Sequence, residues 1–497
     1  MDIYQFIPNL SLLYPELIIT VLALVVLLAD LVVSKSRKVI IAWITAIGLV
    51  TSLISSLPLI GVNETTFSGM FVCDPFALFF KIIFIAIGLI TILLSISYIN
   101  LEKIHLGEYY ALLLFSILGM MVMAAANDLM IVYLGIELMA LSVYALVGFL
   151  KHDLKSNEAA LKYFVLGAFT SGVLLYGISL LYGETGSTNL EEIQKSLLTG
   201  DTSRTTVLAV VLLIAGFAFK IAAVPFHLWC PDAYDGAPTS VTAFMSVGPK
   251  AAGFAALLRV FIVGLIPLKD DWSILLWLVS AATMIVGNIM AVTQTNVKRL
   301  LAYSSIAHAG YGLIGLVAAG ELIEINKTGI VFTESGKMSV CMVMFYMLVY
   351  TFMNLGAFGM VLLMRKNSER GDQISDFTGL ARTNPFFAAT MAIFLLSLMG
   401  IPPLAGFVGK FYIFTVAIHA KLYWLAVIGV LTSAISAYYY FLLIKAMYLD
   451  EPKENFQIFS SRSLAFAIII SLIMTVLIGI YPAPFLSFAR ESIFRLM

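Results

Sequence analysis

The chain has 497 residues, 61% of them hydrophobic and 12% charged, with 29 basic and 29 acidic side chains. Soluble domains carry about 25% charged residues, so the composition excludes an ordinary soluble domain and describes a polytopic membrane protein whose surroundings are the lipid bilayer. A net charge of zero offers no basic surface, and no nucleic-acid partner is expected.

Apolar runs of spanning length follow one another along the chain. They lie near 11–33, 39–60, 74–98, 107–126, 128–149, 157–182, 205–228, 238–263, 273–293, 299–319, 338–364, 385–420, 424–448 and 463–486, about 14 spans in all. Each is long enough to cross a hydrocarbon core of roughly 30 Å as a helix. The first has neither a basic flank ahead of it nor a clear small-residue cleavage site, and reads as a retained span. The third carries Lys81. The fifth contains GIELMALSVYALVGF, with Glu137 well inside. A charge at such a depth costs roughly 2.5–3.5 kcal/mol on insertion scales, so Glu137 needs a compensating partner.

The sixth span has Lys162 near one end, in AALKYFVLGAF. The seventh holds Lys220 far from either end, then Pro225 and His227. In the eighth, Lys250 follows Gly248-Pro249, and Arg259 sits near the end. The tenth contains His308 within SSIAHAGYG, and a polar hairpin loop, Gly320–Lys337, follows it. The twelfth is too long for one simple span and is broken by Gly400-Ile401-Pro402-Pro403 ahead of Lys410. Proline inside a helix breaks or kinks it, and interrupted spans in two halves point to a transport site. Lys445 closes the thirteenth span.

Cations in alternate loops divide unevenly, 14 to 8, and the richer set belongs on the cytoplasmic side. An even number of spans then puts both termini on the outer side. Tyr144–Gly148 echoes Tyr311–Gly315, and Pro225 is spaced similarly from Pro402. Spans four to eight and nine to thirteen therefore read as two five-helix repeats, inverted because the number is odd. The expected fold class is an all-α polytopic membrane protein with broken helices in spans seven and twelve. Its divisions are 1–106, 107–263 for the first repeat, 264–448 for the second, and 449–497.

Seven of the basic residues fall within spans. Lys81, Arg259 and Lys445 are expected to reach the interface with their long side chains, and Lys162 reads equally as such a residue or as a functional one. Lys220, Lys250 and Lys410 cannot easily reach water. They must pair, line a hydrated cavity or lose the proton. Desolvation lowers the proton affinity of a lysine and a nearby carboxylate raises it, so a carboxylate such as Glu137 could gate a row of lysines. His227 and His308 are possible relays, whereas His105, His152 and His419 sit in loops or at span ends. Cys73, Cys230 and Cys341 are scattered without a CxxC, and neither an iron–sulfur cluster nor a zinc site is expected on this chain.

The stretch FKIAAVPFHLWCPDAYDGAPTSVTAFMSVGPKAAGF, Phe219–Phe254, resembles the antiporter-like subunits of respiratory complex I. The resemblance runs from about Glu108 to Lys445. It includes the span-five glutamate, the lysine before proline in span seven, the span-eight lysine, SSIAHAGY and the broken span twelve. Lysine at 410 and the short stretch after span fourteen set it beside the branch that lacks a long lateral helix. The resemblance implies that Glu137 and Lys220 form a coupled pair on the input half, that Lys250 is the central relay, and that Lys410 carries the proton on the output half. It also implies that FMN, iron–sulfur clusters, NADH and quinone bind to partner subunits of the membrane and peripheral arms, in a bacterial inner (plasma) membrane. A subunit of a related Na⁺/H⁺ antiporter, and a purely structural membrane subunit with charges as packing glue, are the alternatives.

Overall fold

The fold comes from a computed structural model, which describes residues 8–34, 37–101, 107–200, 203–326, 329–364, 371–452 and 461–493. His105 and the loop cations Lys35, Lys103, Lys327, Arg365, Lys366, Arg370, Lys453 and Arg495 lie outside them.

Helices follow the apolar runs. In order they are α1 (Tyr14–Val32), α2 (Val39–Ser56), α3 (Pro75–Leu101), α4 (Glu108–Ala125), α5 (Leu129–Val147), α6 (Leu154–Thr185), α7 (Leu190–Thr199), α8 (Arg204–Lys220), α9 (Trp229–Gly236) and α10 (Thr239–Leu258). Then come α11 (Lys269–Val292), α12 (Val297–Leu322), α13 (Glu334–Leu363), α14 (Leu380–Thr383), α15 (Pro385–Met399), α16 (Ala405–His419), α17 (Tyr423–Tyr448), α18 (Arg462–Ile480) and α19 (Ala483–Glu491). Among the described residues, 12 helices are long and apolar enough to span a membrane. The remaining two expected spans are the broken ones. Span seven is α8, a turn over 221–228, and α9; span twelve is α15 and α16.

Helical backbone satisfies its own polar groups, which is why spanning segments adopt it. Caps mark several ends. Asp128 accepts from Met130 N ahead of α5, Asn296 from Arg299 N ahead of α12, and Thr333 from Gly336 N ahead of α13. α10, α12 and α13 are buried along their apolar lengths and form the centre of the bundle. Two helix pairs pack closely because glycines let one backbone lie against the other. A methyl group at Gly119 would sit 2.5 Å from Met139 N on α5, and one at Gly287 would sit 2.8 Å from Ala307 N on α12.

The loop Gly320–Lys337 contains a two-stranded antiparallel hairpin, β1 (Glu324–Asn326) with β2 (Gly329–Val331). The amphipathic α7, in the polar connection after span six, was not anticipated from the hydrophobic runs. Lys445 is exposed at the end of α17, as expected.

Lys81 and Arg259 do not reach the interface, contrary to expectation. Both are buried. Lys81 Nζ lies 2.6 Å from Glu16 of α1, and Arg259 is bidentate to Asp74 at 2.9 and 3.0 Å. The carboxylates come from segments distant in sequence, so their proximity could not be read locally. Lys298, counted among the loop cations, is also buried: its ammonium donates to the carbonyls of Asp235 and Ala237 at the end of α9, where a helix leaves carbonyls unpaired.

Candidate proton-translocation axis

Glu137 projects from α5 beside two outward-facing leucines, Leu134 and Leu141, and is half-buried. Its Oε1 accepts from Ser171 Oγ of α6 at 2.5 Å. Lys220, at the last position of α8, donates to the same Ser171 oxygen at 3.4 Å. Carboxylate and ammonium are thus joined through a hydroxyl, and no direct ion pair links them among the described residues. α8 ends at Lys220, ahead of Pro225, and Ala222 adopts a positive φ of 58° in the turn. The break therefore leaves the lysine on the last helical turn.

Lys250 lies behind this pair. A methyl group at Gly253, one turn further along α10, would be 2.7 Å from Ile221 Cγ2 and 3.9 Å from Lys220 Cβ. α10 therefore passes directly over the end of α8. Lys250 Nζ donates to Ser305 Oγ at 2.5 Å and to Ser305 O at 2.8 Å.

Ser305, His308 and Tyr311 recur at three-residue spacing on α12 and share one face. His308 Nδ1 lies 2.6 Å from the hydroxyl of Tyr346 on α13. The Tyr346 ring in turn rests against Gly409, next to Lys410. Lys410 Nζ stands 4.9 Å over the Tyr311 ring, a cation–π contact. It donates to Met399 O, at the end of α15, and to Ser433 Oγ of α17, both at 2.9 Å. Gly400 allows this arrangement. Its φ of 91° ends α15, and an added methyl would come within 3.0 Å of Lys410 Cδ.

A buried polar line thus runs Glu137–Ser171–Lys220, then Lys250–Ser305–His308–Tyr311–Lys410. Each lysine on it is held by hydroxyls or carbonyls. Lys220, Lys250 and Lys410 are 3%, 2% and 4% exposed. Neutral oxygens hold an ammonium without a fixed counter-charge, so the proton can leave without stranding a carboxylate. That is an arrangement suited to proton transfer rather than to bond chemistry.

Two candidates stand apart from the line. Lys162 is half-exposed and pairs with Glu158 at 2.8 Å and Asp232 at 2.9 Å; Arg299 shares Asp232 at 2.7 Å. His227 sits in the turn between α8 and α9, and no hydrogen bond joins it to Lys220 or Lys250 among the described residues. Its Nδ1 is buried without a partner there. Ser171, Ser305, Tyr311, Tyr346 and Ser433 were missed. The spacing in SSIAHAGYG could have indicated Ser305 and Tyr311; lone hydroxyls in apolar helices carry no such signal.

The profile described as "NADH:quinone oxidoreductase/Mrp antiporter, TM" matches residues 126–436. The chain belongs to that family. Curated relatives of similar length include NADH-quinone oxidoreductase subunit N of Trichlorobacter lovleyi, 46% identical over 98% of this chain and 97% of the relative. Subunit N 2 of Rhizobium meliloti is 43% identical over 97% of each. A chain of respiratory complex I from Thermus thermophilus with bound aureothin superposes with a TM-score of 0.79 at 31% identity, covering 95% of this chain and 98% of that one. A chain of the Mrp complex from Dietzia superposes with a TM-score of 0.81 over 97% of each chain, but at 20% identity this shows the fold alone. Every member of the polar line falls inside the family segment, whereas Glu16, Asp74 and Lys81 fall outside it.

Proposed function

We propose that the chain is the N-type antiporter-like subunit of a bacterial proton-translocating NADH:quinone oxidoreductase, working in the membrane arm beside other membrane-arm and peripheral-arm subunits. Electron transfer from NADH to quinone takes place on those partners, which carry FMN and the iron–sulfur clusters. This chain contributes proton movement. The carrying observation is the buried line of three lysines held by neutral oxygens, set in a chain whose curated relatives are subunits N.

In this reading Glu137 responds to charge arriving from the neighbouring subunit and, through Ser171, changes the hold on Lys220. Lys220 passes a proton to Lys250, Lys250 passes one along the α12 face, and Lys410 discharges on the outer side. His227 serves as a further relay at the break in span seven, and Lys162 trims the charge at the side of α9. The body consists of two inverted five-helix repeats, 107–263 and 264–448, flanked by 1–106 and 449–497. The matching glycine-packed pairs α4/α5 and α11/α12, and a proline-broken span in each repeat, support that division. The protein sits in the inner membrane with both termini outward, in keeping with the loop charges.

The test is Lys410→Ala in inverted membrane vesicles, with assembly followed on native gels by NADH-oxidation staining. The expected result is a complex of normal abundance that translocates several-fold fewer protons per NADH. Normal pumping and normal assembly would remove Lys410 from the output role.

A further inference from the structure

α10 has a proline in its interior, one residue before Lys250. Proline lacks an N–H, so the carbonyl four residues earlier, that of Met245, loses its helical donor. A replacement comes from another element. The hydroxyl of Tyr234, on α9, lies 3.4 Å from Met245 O. The same hydroxyl lies 3.5 Å from Ser305 Oγ, the atom that receives Lys250. Both separations are long for an O–H···O bond, which usually spans about 2.5–3.0 Å. One proton therefore serves several acceptors, the Cys230 sulfur among them, and is settled on none.

The rest of Tyr234 is fixed. The side chain is fully buried, its ring packs edge-on to Trp229 and Phe358, and its carbonyl accepts from Thr242 Oγ1 at 2.9 Å. Cys230 and Tyr350 are the other titratable groups around it. The hydroxyl rotor is the one freedom left.

We infer that Tyr234 is a positioning residue for Lys250, its hydroxyl turning between Met245 O and Ser305 Oγ as the lysine gains and loses its proton. The inference rests on the proton-translocating reading. When Lys250 is an ammonium, it donates to Ser305 Oγ, the Ser305 hydroxyl donates to the Tyr234 oxygen, and Tyr234 donates to Met245 O. When Lys250 is a neutral amine, the order reverses: Tyr234 donates to Ser305 Oγ, and Ser305 donates to the Nζ lone pair. The amine keeps its bond to Ser305 O. No proton changes owner in the turn, so Tyr234 and Ser305 stay neutral throughout. Because α9 is the second half of the span whose first half ends in Lys220, a shift at that break moves Tyr234 relative to Ser305. The broken span thereby communicates with the central lysine.

The experiment uses the assembled complex in inverted vesicles, carrying Tyr234→Phe, Ser305→Ala, the two together, and Tyr234→Phe with Pro249→Ala. Complex abundance and the rate of proton translocation per complex are read for each. Loss of one hydrogen bond of ordinary strength slows a step about threefold to tenfold, and Tyr234→Phe should lower pumping per complex by that much. The double variant with Ser305→Ala should be no worse than Ser305→Ala alone, because the two hydroxyls act as one unit. Pro249→Ala gives Met245 O a backbone donor again. It should restore any assembly lost in Tyr234→Phe while pumping stays slow. If Pro249→Ala restores pumping as well, or if Tyr234→Phe pumps normally per complex, Tyr234 is only a helix cap and the inference fails. Lys250→Ala in the same vesicles separates the two levels. Normal pumping there sinks the translocation reading itself, whereas poor pumping there with normal pumping in Tyr234→Phe sinks only the role of the tyrosine.

Discussion

The N-terminal helices and the central helices both bury cations, and they hold them in opposite ways. In the first region Asp74 locks Arg259, which reaches it from just past the end of α10, by two parallel bonds, with the arginine Nε on Ala124 O. Lys81 touches Glu16 directly at 2.6 Å. In the second region Lys250 and Lys410 donate to serine hydroxyls and carbonyls, Lys410 also lying over the Tyr311 ring, and Lys220 reaches Glu137 through Ser171. A buried carboxylate–cation contact is static, since removing either charge strands the other in low dielectric. An ammonium on neutral oxygens has no such lock. On the proposed reading, burial of a lysine does not mark a proton carrier; the charge of what it touches does. The second arrangement lies wholly within the segment shared with the family profile, 126–436, whereas in the first only Arg259 does and Asp74, Glu16 and Lys81 lie outside it.

The comparison can be broken most forcefully at Asp74. Asp74→Ala leaves the Arg259 guanidinium buried without its carboxylate, at a cost of about 3–5 kcal/mol. The assembled complex should nearly disappear from native gels, and whatever assembles should pump normally per NADH. A pumping defect in that residue of complex would place Asp74 with the carriers. Next, Lys250→Met should leave abundance close to normal while proton translocation per NADH falls by at least about tenfold, since the proposed carrier is gone and no carboxylate is stranded. A collapse of assembly instead would make Lys250 a structural cation like Arg259.

Smaller effects sharpen the boundary between the regions. Ser171→Ala removes the link between Glu137 and Lys220, whose lysine half is a long 3.4 Å contact; loss of one hydrogen bond of ordinary strength is worth about 0.5–1.5 kcal/mol. Pumping should fall severalfold, and Ser171→Thr, which keeps the hydroxyl, should recover most of it. Smallest of all is Lys162→Met. Its side chain is 47% exposed and one of two cations on Asp232, and exposed ion pairs contribute little. Turnover and abundance should both change less than twofold; a clear pumping defect would move Lys162 onto the translocation path.

The sequence by itself determined the class, the spans and most of the line. Apolar runs of spanning length leave few alternatives to a helix, because unpaired backbone cannot stay in hydrocarbon. Prolines 225 and 402 announced the broken spans, and an ionisable residue deep in an apolar run stands out on cost alone. Glu137, Lys220, Lys250, His308 and Lys410 were legible for that reason. Tertiary structure alone decided what each charge touches. Lys81 and Lys220 are each a lysine in an apolar run, and both are buried, yet one meets Glu16 and the other the hydroxyl of Ser171. Those partners come from other helices, and helix packing depends on shape matches such as Gly119 against α5 and Gly287 against α12, which hydrophobic periodicity does not encode. The same holds for Tyr234: its ring reads as one more aromatic core residue, and only the packing of α9 against α10 and α12 brings its hydroxyl between Met245 and Ser305.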